Sequence, residues 1–143
     1  MIKKFHFASR KIIKVFYIMA LLFVLVIIFL LSSQDGILSN TITTEISGRF
    51  GGLVKNIIFR KVLHIIEYFV LMLLLYGTIA MLIKNVRKNI IVAAILCVLY
   101  ATADEIHQIF VPHRGASAYD VLIDSAGILL GIIVICFYNK RHR

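Results

Sequence analysis

The stretch DEIHQIFVPHRGASAYDVLID (104–124) carries seven ionisable side chains: Asp104, Glu105, His107, His113, Arg114, Asp120 and Asp124. A second group, Arg60, Lys61, His64 and Glu67, lies within RKVLHIIE (60–67). Carboxylates beside histidine can move protons, and arginine and lysine can hold phosphate. Asp120 and Asp124 are like charges one helical turn apart, so they call for a nearby cation, and Arg114, Arg60 and Lys61 are the nearest. His64 with Glu67, and Asp104 with His107, share the i, i+3 spacing of carboxylate–histidine metal bundles. Such pairs are common by chance, and no metal or other cofactor is expected from them.

These groups sit in a chain of 143 residues that is 61% hydrophobic and 16% charged, with a mean hydropathy of +0.96. A soluble domain would be nearer 45–50% apolar and about 25% charged, so the composition is that of a membrane protein. In hydrocarbon each ionised group costs on the order of 2.5–3.5 kcal/mol, so the cluster needs a reason. The net charge of +9 comes from short basic clusters between apolar runs, without a basic domain or an aromatic-interleaved stripe, which excludes a nucleic-acid partner. Cys97 and Cys136 each lie in an apolar run and read as small buried hydrophobes.

Four apolar stretches stand out, at about 15–31, 61–83, 90–110 and 119–138, which predicts an all-α, four-helix transmembrane bundle. They define one membrane domain over 15–138, between a basic N-terminus (1–14) and a basic tail (139–143). The first run exceeds the apolar core of a signal peptide and no A-x-A-like site follows, so it reads as a retained span. Lys and Arg number eleven before span one, between spans two and three and in the tail, against five on the other side. By the positive-inside rule both termini are cytoplasmic, and 32–60 and 111–118 face outward. The segment 39–52 is read as a short interfacial helix ending at a glycine break.

Four spans force the end of the first and third and the start of the second and fourth onto one membrane face. Counted inward at about 1.5 Å per residue, His64, Glu67, Asp104, Glu105, Asp120 and Asp124 then share one layer. Helical spacing also gives them shared faces. Arg60, Lys61, His64, Glu67, Tyr68 and Leu71 form one stripe; Tyr100, Asp104, His107 and Gln108 form another; Ser117, Asp120, Asp124, Gly127 and Gly131 form a third. The third continues into a GxxxG pattern, the small-residue face by which membrane helices approach closely. Pro112 ends span three, and Ser117 is placed to cap span four.

RKVLHIIEYFVL (60–71) and DEIHQIFVPHRGASAYDVLIDSAGILLG (104–131), preceded by SSQ (32–34), resemble the VanZ-like family, small bacterial membrane proteins named after a teicoplanin-resistance protein. The family's Lys–His–Glu/Phe–Tyr series falls on Lys61, His64, Glu67 and Tyr68. Its second series falls on Asp104, Glu105, Gln108, Phe110, Pro112, Arg114, Asp120 and Asp124. His113 departs from it, standing where the family usually has glycine. The resemblance implies a role in withstanding glycopeptides at the cell surface.

The expected site is therefore an outer-leaflet pocket built from Arg60, Lys61, His64, Glu67, Asp104, Glu105, Gln108, Arg114, Asp120 and Asp124. Its partners would be membrane lipids, with a lipid-linked cell-wall precursor or phospholipid headgroup bound or modified there; an oligomer is left open. Two other readings use the same residues. In one they are a non-catalytic packing network that fixes helix register; in the other they belong to a small transporter-like protein, although the far halves of all four spans lack charges.

Overall fold

The computed structural model describes residues 2–36, 41, 45, 53–114 and 117–141. Four helices carry the described chain: α1 (Ile2–Ser32), α2 (Leu53–Ile79), α3 (Val86–Gln108) and α4 (Ala118–Arg141). No strand occurs among the described residues. Each helix contains a segment of 22 or 23 residues apolar enough to cross a membrane: Lys11–Ser32, Ile58–Ile79, Val86–Gln108 and Tyr119–Arg141. At about 1.5 Å per residue these match a hydrocarbon core of about 30 Å. The segment 39–52 falls outside the described residues, apart from Thr41 and Glu45.

The helix ends follow from local chemistry. At the end of α1 both the Ser33 amide, at 2.9 Å, and the Ser33 hydroxyl, at 2.6 Å, donate to the Phe29 carbonyl and close the last turn. α2 stops at Ile79 although the apolar run continues to Ile83, because Leu82 and Ile83 both donate their amides back to the Ile79 carbonyl and turn the chain. Asn85 then starts α3, its side chain accepting the Lys88 amide at 3.0 Å. Ser117 starts α4 in the same way, its hydroxyl accepting the Tyr119 amide at 3.2 Å.

α2 is the hub: it packs against all three other helices, most extensively against α4, whereas the backbones of α1 and α4 stay apart. Tyr68, Leu71 and Met72 of α2 are fully buried, against Ala93, Cys97 and Ala101 of α3 and Ile128 of α4. The outward faces are apolar as well, with Phe16, Phe23, Leu129 and Phe137 each about half or more exposed, as lipid-facing residues should be.

The GxxxG face of α4 lies against α2. A Cβ at Gly127 would stand 2.3 Å from the Ile65 carbonyl oxygen and 3.0 Å from the Phe69 amide nitrogen, so two backbones meet there. At Gly131 a Cβ would stand 2.8 Å from Met72 Cγ and 2.9 Å from Met72 Cβ, with the Phe69 carbonyl oxygen at 3.5 Å. Gly127→Ala must therefore push two backbones apart, at a cost of about 1–3 kcal/mol, while Gly131→Ala meets the base of the Met72 side chain and costs less, because Met72 Cγ can rotate and only its Cβ is fixed. Unfolding titrations of the two variants in detergent check this ordering.

Candidate functional site

Ser32 of α1, the start of α2, the end of α3 and the start of α4 lie at one end of the bundle, so the ionisable groups share a layer. Seven of the ten expected site residues, with His113, line a small cleft of about 230 Å³: Arg60, Lys61, His64, Glu105, Gln108, Arg114 and Asp120. The other three, Glu67, Asp104 and Asp124, do not line it. Asp124 is completely buried, and Asp104, Glu105 and Gln108 are each 5% exposed.

The cluster divides by whether its polar atoms are satisfied. Asp104 Oδ2 accepts from the Ser32 hydroxyl at 2.7 Å and from Gln108 Nε2 at 2.9 Å. Gln108 Nε2 also reaches Ser32 Oγ at 3.3 Å. Arg114 Nη1 donates to the Ser32 carbonyl at 2.8 Å, so one serine at the end of α1 anchors the loop and α3 together. Nearby, the Tyr100 hydroxyl donates to the Leu25 carbonyl at 2.7 Å, a second tie between α1 and α3.

The second part lies between α2 and α4. His64 Nδ1 stands 3.4 Å from Asp124 Oδ1 and 3.9 Å from Glu67 Oε2, within ion-pair reach but without the alignment of a hydrogen bond. Both Asp124 carboxylate oxygens and the Tyr68 hydroxyl are buried without a hydrogen bond. Glu105 Oε2 accepts the Ser117 amide at 3.2 Å, while its Oε1 is buried without a donor. Unmet buried polar atoms each cost about 1–3 kcal/mol, and native proteins carry few of them.

The loop between α3 and α4 closes the rim. His113 has φ 56°, the left-handed region in which glycine is at ease. The tight turn is thus kept without the glycine, at the expense of some strain. Its imidazole Nδ1 lies 3.2 Å from Asp35 Oδ2 on the exposed rim. Gly36 donates its amide to the Pro112 carbonyl at 3.1 Å, and a Cβ at Gly36 would run into the His113 carbonyl, so the two loops touch backbone to backbone. Arg114 is partly buried beneath them; burial, and then the Arg60 charge, hold its guanidinium below the usual arginine range. It stays charged at neutral pH, since arginine starts so high.

His107 does not join Asp104 in a ligand set. Its Nε2 lies 3.0 Å from Ser33 Oγ, and its ring packs on Phe29 with centroids 4.9 Å apart. Among the described residues no group of three His, Cys, Asp or Glu side chains is placed to hold a metal ion. Below the cluster, Leu71, Met72, Cys97 and Ile128 fill the bundle axis, so the polar layer does not continue through a single chain. Sequence reasoning passed over Ser32 as a site residue, since a serine at a span boundary looks like an ordinary polar flank.

Four apolar helices around an acidic and basic cluster confined to one end define a small multi-pass membrane protein with a half-depth polar site. The family comparison agrees: a model described as VanZ/LLP1 matches residues 15–139, nearly the whole chain. The chain belongs to the VanZ/LLP1 family. No curated protein and no solved structure matches it.

Two substitutions test this geometry. Ser32→Ala removes one of the two donors to Asp104 and should destabilise the protein by about 1.5–3 kcal/mol, the range for a hydrogen bond to a charged group. His113→Gly should leave the fold intact and stabilise it by up to about 1 kcal/mol, because relief of the left-handed strain exceeds the loss of an exposed ion pair. Detergent unfolding curves for each variant, read against wild type, measure both.

Proposed function

We propose that the cleft binds the phosphate-bearing headgroup of a lipid-linked cell-envelope component from the outer leaflet, and that the termini are cytoplasmic. The observation that carries this reading is the composition of the cleft wall: Arg60, Lys61 and Arg114 together at the mouth, with buried, unmet acceptors on Glu105 and Asp124 close by. Guanidinium and ammonium groups hold phosphate oxygens through charge-assisted hydrogen bonds. The unmet oxygen of Glu105, which lines the cleft, suits a hydroxyl or ammonium donor, which both wall precursors and phospholipid headgroups carry. At about 230 Å³ the cleft is smaller than the usual ~300–1,000 Å³ ligand pocket, so it takes a headgroup and leaves the chain in lipid. The eleven-to-five distribution of basic residues supports the orientation.

If the headgroup is modified there, His64 and the carboxylates around it are the groups able to move a proton. The family resemblance supports a contribution to glycopeptide tolerance, since sequestering or altering an envelope lipid changes what such a drug meets. The packing-network reading is favoured for one part of the cluster only. Asp104, Gln108 and Ser32 satisfy one another and join α1 to α3, which is structural work.

The full chain in nonionic detergent is to be incubated with a lipid-linked wall precursor, and separately with phosphatidylethanolamine, and examined by mass spectrometry. Retention of one of them is expected, weakened roughly 10–100-fold by Lys61→Gln or Arg114→Gln, the range for losing one charge-assisted contact. Lys61 is exposed, so its variant keeps the fold. Equal retention by wild type and both variants contradicts the reading, and a changed ligand mass identifies an enzyme.

A further inference from the structure

At the other end of the bundle, where α1 begins and α4 ends, a larger space opens. The backbones of α1 and α4 stay apart and flank a groove of about 1,000 Å³ whose floor is α2. Lys11, Lys14 and Lys84 line its terminal end, and Leu73, Val134 and Ile135 line it deeper in the span. Gly77 sets its shape: a Cβ there would stand 2.2 Å from the Tyr17 ring, so the ring sits directly against the α2 backbone. Val134 is about half exposed, so the groove is open sideways to the hydrocarbon.

An occupant of this groove must be apolar along its length and negative at one end. A second copy of the chain fails the second condition, since it would bring its own lysines against these three. A soluble anion fails the first. Basic residues at a span end ordinarily meet anionic lipid in passing, each contributing modestly. Here three of them converge above a concave apolar slot, which turns passing contact into a site. We propose that this groove holds one anionic phospholipid, with an acyl chain between α1 and α4 and its phosphate among Lys11, Lys14 and Lys84. The proposal stands apart from the cleft at the opposite end and uses none of its residues.

The test uses the full chain in nonionic detergent, titrated with phosphatidylglycerol or with phosphatidylcholine and read by native mass spectrometry. One phosphatidylglycerol should be retained in preference to phosphatidylcholine. Lys14→Gln combined with Lys84→Gln should weaken that retention about tenfold or more. Ala80→Phe fills the groove without touching a charge and should abolish it, while Lys61→Gln, at the other end, should leave it unchanged. Circular dichroism and gel filtration identify any variant that has lost its fold, and Ala80→Leu then replaces Ala80→Phe. Equal retention of both lipids, retention unaffected by groove filling, or a dimer that becomes monomeric on groove filling with its lipid still bound would each overturn the proposal.

Discussion

The structure turns on one constraint: a carboxylate with no exposure, Asp124, sits where two apolar helices meet. Burying a charge among hydrocarbon side chains is tolerable only if a partner is held close. His64, 3.4 Å away on α2, is near enough to offset the charge in part but leaves both carboxylate oxygens without a hydrogen bond, and the approach of α4 to α2 at Gly127 brings the two helices close just below it. The position of α4 thus follows from a backbone contact, and the polar layer follows from the position of α4. α2 must be central, because it alone faces both the GxxxG stripe and the α1–α3 pair.

The cluster does two kinds of work. Around Ser32 most donors and acceptors match, Arg114 Nε excepted, and the result is a joint between α1, α3 and the loop carrying Arg114. Between α2 and α4 they do not match, and oxygens on Asp124 and Glu105 stay without donors. A network meant only for packing gains nothing from leaving acceptors unmet. If the cleft binds a ligand, as proposed, the open Glu105 acceptor is the one a ligand reaches, because Glu105 lines the cleft and Asp124 does not.

Much of this was legible in the sequence. Four apolar runs required four spans, four spans required the ionisable groups to share an end, and the steps of four, three and four from Asp120 through Asp124 and Gly127 to Gly131 required the acidic face of α4 to become its packing face. What was not legible is long-range. Ser32 pairs with residues more than 70 positions away, and no local periodicity encodes that. His107 lies on the same helical stripe as Asp104, yet its ring turns to Phe29 and Ser33 on α1, because a stripe fixes a face and leaves the side-chain direction open. The end of α2 at Ile79 was hidden for another reason: Met81, Leu82 and Ile83 are apolar in the turn as in the helix, so hydropathy does not change there. His113 hid a left-handed turn that glycine would have announced.

The unfolding free energy of Asp124→Asn tests the central claim most directly. If the His64–Asp124 region is an unfinished site awaiting a ligand, removing the buried charge relieves more desolvation than it loses in pairing, and stability stays the same or rises. If it is a completed packing network, the same change breaks a satisfied buried pair and lowers stability by about 3–5 kcal/mol, which would contradict the account.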